Sequence, residues 1–195
     1  MANTNAPFGF RQYSGNGSAP TYEQVAVTIV YNASPIYYGD PVKPDANGYI
    51  VRGTSSAADT NAQIAGVFVG CKYLSVSQKR TTWSNYWPGS DVASTQSVEG
   101  YIVNDPNARF VAQTDGTGFT QTQINSNVGF DIGTGNANNG LSGAFLNTIG
   151  TDATMPFRCV GLVTQPPGSA GTEAGAYNWA IVAFNNVSTK TLTGV

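Results

Sequence analysis

The chain contains no histidine. That absence removes the usual general base of Ser-His-Asp and Cys-His catalysis and the commonest nitrogen ligand of zinc. Only two cysteines occur, Cys71 in GVFVGCKY and Cys159 in MPFRCVGLV, with no C-x-x-C pair, so a structural zinc site is excluded. Both lie in apolar, strand-like runs and read as buried thiols that behave as small hydrophobes; one disulfide between neighbouring strands is the other reading. Charge is scarce as well. Asp, Glu, Lys and Arg make up 10% of the 195 residues, against roughly 25% in an average soluble domain. With nine basic residues, a net charge of −2 and no basic run longer than Lys79-Arg80, the chain lacks the stripe that displaces counterions from nucleic acid. No apolar run approaches the ~20 residues of a membrane-spanning helix. The first twenty residues have neither a charged nor an apolar signal region, so no secretory signal is expected, and the sequons at Asn16, Asn32 and Asn186 read as chance.

What remains is apolar and aromatic. The hydrophobic share is 41%, with ten Tyr, nine Phe and three Trp, and 23 glycines punctuate the chain. This suffices for one closed core. A surface so poor in charge stays soluble through Asn, Gln, Ser and Thr, or is covered by a partner.

Residues 1–20 show no periodicity yet carry Phe8, Phe10 and Tyr13 among Gly, Pro and Asn. They read as an extended N-terminal arm, expected to lie against a neighbouring subunit, with residues 21–195 forming a single β domain. Tyr22–Tyr31 alternates, placing Val25, Val27, Ile29 and Tyr31 on one face of a half-buried strand. Strands at Pro41–Lys43 and Tyr49–Arg52 flank Asn47-Gly48, a strong hairpin signal. Ile64–Leu74 is the best central strand, with Val67, Val69, Cys71 and Tyr73 on one face and Ile64, Phe68, Gly66 and Gly70 on the other; the glycines suggest close packing or a bulge. Thr81–Trp87 places Trp83, Tyr86 and Trp87 in seven residues, and these aromatics are interface candidates. Further strands read at Ser97–Asn104, Arg109–Gln113, Gly129–Ile132, Leu141–Leu146, Phe157–Val163 and Trp179–Phe184, with a short helix near Thr120–Ser126. No 3.6-period segment is long enough for a crossover helix. The expected fold is therefore all-β, an antiparallel sandwich or barrel of jelly-roll type with an extended arm.

Chemistry-bearing motifs are few. GTGNANNG at Gly133–Gly140 is neither a dinucleotide fingerprint nor a Walker A loop and reads as a turn. Most carboxylates fall in turns, where they cap or are solvated. Glu99 and Asp131 lie within strands, and a glycosidase would need one of them in a cleft about 5–10 Å from a second carboxylate. No calcium loop occurs. No enzyme activity, cofactor or metal is expected.

Several runs taken together, MANTNAPFGFRQY, GYIVRG, IAGVFVGCKYLS with TTWSNYWPG, YIVNDPNARFVAQ and FRCVGLV, resemble the small head-structural proteins of tailed bacteriophages. Members of that family begin Met-Ala-Asn-x-Asn-Ala-Pro-Phe-Gly and carry a Gly-Val-Phe-x-Gly-Cys block with a downstream Tyr-Trp-Pro. The resemblance spans roughly residues 1–185 and includes no catalytic motif. It implies a cement or decoration protein, made in the host cytoplasm and placed on the virion. Copies would bind the outer face of the head and bridge major capsid proteins, with self-association as a trimer favoured and a dimer as the alternative. Phe8, Phe10, Arg11 and Tyr13 would anchor the arm, and loss of residues 1–14 is expected to leave the domain folded. A tail-fibre or receptor-binding module stacking host glycan on Trp83, Tyr86 and Trp87 is the competing expectation. A secreted binding domain ranks below both.

Overall fold

Alternation of apolar and polar residues, broken by Gly, Asn and Pro, produces short strands and tight turns, and those strands assemble into two antiparallel sheets packed against each other. The computed structural model describes residues 3–14, 24–56, 59 and 62–190. The expected arm boundary at residue 20, the Asn16 sequon and Tyr22 lie outside the described residues.

The first sheet runs in the order β1 (Arg11–Ser14), β8 (Arg109–Gln113), β12 (Trp179–Phe184), β11 (Phe157–Leu162), β9 (Asn127–Asn136), β10 (Leu141–Gly150). The second runs β2 (Gln24–Ile29), β7 (Val98–Val103), β5 (Gly66–Ser75), β3 (Pro41–Pro44), β4 (Ile50–Arg52). A further strand, β6 (Arg80–Ser84), pairs with the distal half of β5, on the edge whose proximal half pairs with β3. The expected helix is a single 3-10 turn at Gln121–Gln123.

Two apolar clusters fill the interior. The larger gathers Phe10, Phe110, Phe130, Phe157 and Phe184 with Val67, Val103 and Cys159. Its rings interlock, with Phe10 stacked on Phe157 at 4.4 Å and Phe110 edge-on to Phe184 at 5.0 Å. The smaller cluster surrounds Trp87 with Ile29, Ile36, Phe68, Cys71, Tyr73 and Ile102. Both cysteines are free and buried, one in each cluster. Burial pushes the Cys71 thiol up to about 12.

The faces of β5 differ from the expected assignment. Val67 and Val69 do face one cluster, but Cys71 and Tyr73 join Phe68 in the other. The cause is a bulge between Phe68 and Gly70, where one extra residue reverses the parity of everything beyond it. Gly70 sits at φ 155°, and a Cβ there would lie 2.9 Å from the Ser84 carbonyl oxygen, so glycine is required.

The arm is part of its own domain. Gly9 N donates to Ala144 O, Phe10 N to Gly39 O, and Ala6 N to the Gln113 side chain; Arg11–Ser14 then pairs with β8. Beneath it lies a polar latch between the sheets. Asp40 accepts from Arg52 Nε at 2.7 Å, Ser142 Oγ at 2.5 Å and Tyr37 N at 2.7 Å, while Arg52 also donates to Gly133 O.

Candidate functional site

Three neighbouring strands of the second sheet build an open face. Register places Lys72 of β5 opposite Glu99 of β7 on one side and Trp83 of β6 on the other. Tyr101, two residues beyond Glu99 and so on the same face, stands opposite Gly70. Gly70 brings no side chain to that position. The Trp83 and Tyr101 rings meet nearly parallel, with centroids 5.7 Å apart and planes 10° apart. Lys72 Nζ lies 5.1 Å from the indole centroid and 2.6 Å from Glu99 Oε2, and Tyr101 Oη donates to Glu99 Oε1 at 2.8 Å.

Each group in this quartet holds another in place. Hydrogen bonds from Lys72 and then Tyr101 hold the Glu99 carboxyl below its ordinary range. The same bond to Glu99 holds Lys72 up. Partial desolvation, reinforced by donation to Glu99, raises the Tyr101 hydroxyl. A carboxylate kept ionised in this way suits hydrogen bonding rather than proton donation. Trp83 is nevertheless 68% exposed. Two shallow recesses follow one another along β5. One of about 550 Å³ is bordered by Lys72, Glu99, Thr28, Thr81, Thr95 and Gln96. The other, of about 320 Å³, is bordered by Trp83, Tyr101, Gly70, Gln24, Ser84 and Asn85.

A third, more apolar recess of about 280 Å³ lies at the β1 edge of the first sheet, formed by Phe8, Arg11, Tyr13, Val111, Val163 and Trp179. Phe8 packs edge-on against Trp179 at 4.9 Å, and the Arg11 guanidinium caps Phe8 at 4.6 Å. Tyr13 is 58% exposed.

The sequence-expected interface residues therefore separate. Arg11, Tyr13 and Trp83 are on the surface. Phe10 is buried in the protein's own core at 1% exposure, and Phe8 is packed against Trp179 and Arg11 in the floor of the β1-edge recess, so neither is a free anchor for a neighbouring subunit. Trp87 is at 0% exposure, exchanging backbone hydrogen bonds with Ile36 and donating its indole N–H to Ala33 O. Tyr86 is half-buried and stacks on Tyr37 at 5.6 Å, so it does not join Trp83. Of the two strand carboxylates, Glu99 partners Lys72 and Tyr101, whereas Asp131 is on the other sheet and accepts from the Ile132 backbone N–H. Among the described residues no group of three His, Cys, Asp or Glu side chains is placed to hold a metal. Lys72 and Tyr101 had no distinguishing signal in their own segments. The i, i+2 spacing of Glu99 and Tyr101 was visible, but not their register with β5.

No protein-family model, no curated protein and no solved structure matches this chain.

Proposed function

We propose that this chain is a structural protein of a tailed-phage head, a cement or decoration protein that binds the outer surface of the shell and bridges major capsid proteins. The observation that carries the reading is the apolar recess at the β1 edge, with Tyr13 standing exposed beside it. The phage-head resemblance of the sequence and its 10% charge support the same reading. Only one side of β1 is paired among the described residues, so an extended shell segment can add to that edge while its side chains enter the recess. Self-association, with a trimer favoured, would multiply modest contacts into tight attachment.

Shells assembled without the protein, mixed with purified chain and pelleted, test the reading. Wild-type protein is expected to sediment with the shells and to raise their resistance to heating. Tyr13→Asp is expected to remain in the supernatant with an unchanged melting temperature. Equal sedimentation of the two proteins would remove the β1 edge from the reading. Labelling of virions on the tail alone would replace the head assignment with the receptor-binding alternative.

A further inference from the structure

We propose that the open face of the second sheet binds an uncharged, β-linked oligosaccharide laid over Trp83 and Tyr101. This inference rests on the quartet's geometry alone and is independent of where on a virion the protein sits.

Trp83 is the most exposed large hydrophobic side chain among the described residues, and solvation alone does not favour an indole in that position. Yet it is held on both counts that matter for recognition, by the Tyr101 ring and by the Lys72 ammonium. A ligand meeting it pays little for ordering a side chain. A pyranose whose substituents are all equatorial has a flat face of axial C–H bonds, slightly positive, which matches the negative face of an aromatic ring. Around that face its hydroxyls need donors and acceptors. Glu99, Lys72, Thr81 and Gln96 supply them in one recess and Gln24 in the next, where Asn85 is held by donation to Asn139 O.

Charge selects among sugars. Lys72 and Glu99 cancel, and no other charged side chain borders either recess. A neutral chain thus meets no unpaired charge, whereas a uronate, sialate or phosphate gains no net attraction. Two recesses in succession along β5 accommodate a ligand longer than one ring. An extended β-1,4 chain can reach from one recess to the next along β5, whereas an α-1,4 chain curls away from that line.

Cellohexaose, chitohexaose and maltohexaose, titrated calorimetrically into the full chain, are the probes. Saturable binding of cellohexaose or chitohexaose is expected, with maltohexaose at least about tenfold weaker. Acrylamide quenching, which reads mainly the exposed Trp83, should fall as either β-linked probe saturates. Trp83→Ala and Tyr101→Ala should each weaken binding by about tenfold or more. Trp83→Phe, which keeps a ring, should retain part of it. Should Trp83→Ala fail to fold, the Phe and Tyr101 variants decide the matter alone. Absence of saturable heat with both β-linked probes overturns the proposal, as does equal affinity for maltohexaose. Protection of Trp83 that rises with protein concentration and without sugar also overturns it, because a second copy would then be the occupant.

Discussion

The N-terminal segment and the β6 segment make the same offer in sequence, several large aromatics near a chain turn, and the fold divides both in the same way. In the arm, Phe10 is sealed in the core and Phe8 is packed against Trp179 under the Arg11 guanidinium, while Arg11 and Tyr13 are exposed. Around β6, Trp83 points out and Trp87 is sealed inside. Parity separates Phe10 from Arg11 and Tyr13, since alternate residues of an extended chain face opposite sides, whereas Gly9 at φ 77° breaks the extended path between Phe8 and Phe10. Parity fails for the second pair, because Trp83 and Trp87 are four apart and should share a face. Between them the strand ends at Ser84, and Trp87 re-enters through an isolated bridge to Ile36. Aromatic density therefore marks where packing happens, while the local backbone path decides which ring is packed and which is presented.

The strongest break of this comparison is removal of residues 1–14. The sequence reading expected a folded remainder, but the segment carries an edge strand and the Phe10 plug, so the truncated chain is expected to lose its cooperative thermal transition. Single truncations come next. Phe10→Ala and Trp87→Ala should each cost about 3–5 kcal/mol, lowering Tm by roughly 6–20 °C in a chain of this size. A Phe10→Ala protein that melts like wild type would mean that the arm is not part of the core.

How far the sequence could be read follows from the range of the interactions. Local signals sufficed for the β3–β4 hairpin, where Gly48 takes φ 80° and Asp45 caps the turn through Asn47 and Tyr49. They also sufficed for β8 and β12, found at the expected bounds. Four-residue β1 was missed because its partner lies about a hundred residues away and its anchor, Phe10, sits among Gly, Pro and Asn. Strand β9 was cut short at Ile132 because glycine and asparagine disfavour strands, yet pairing of Gly133 with Gly143 carries it to Asn136. The candidate site was legible only in Trp83 and Glu99. Its other members depend on register across three strands, and the bulge at Phe68–Gly70 resets that register.

Acid sharpens the contrast between the two regions, because each holds a carboxylate shifted the opposite way. Burial raises Asp40 above its ordinary 3.8, outweighing Arg52 and the hydrogen bonds from Ser142 and Tyr37. Glu99 lies below its ordinary 4.5 through Lys72 and Tyr101. A raised carboxyl means that the folded state holds the proton more tightly. Asp40's contribution is thus full below 3.8 and declines as pH rises through its folded value. The Glu99 contribution is present above 4.5 and declines as pH falls through its folded value. Stability of wild type relative to Asp40→Asn should therefore fall as pH rises from 3.8 through the folded value, and relative to Glu99→Gln it should rise with pH from the folded value up to 4.5. Carboxyl chemical shifts across the titration would assign each group; Asp40 titrating below 3.8 would break the contrast.

The smallest effects are expected at the two rings the fold leaves outside. Tyr13→Ala removes a mostly solvated side chain and should change stability by no more than about 0.5 kcal/mol. Trp83→Ala also loses the Tyr101 stack and the Lys72 contact, at about 1 kcal/mol for an exposed pair. Both should melt within a few degrees of wild type, far from Phe10→Ala and Trp87→Ala. Four melting curves measured together thus decide whether position in the fold or aromatic identity sets the cost. If Trp83→Ala destabilises as much as Trp87→Ala, the exposed indole is a structural element, and the face it occupies loses its claim to be a presented surface.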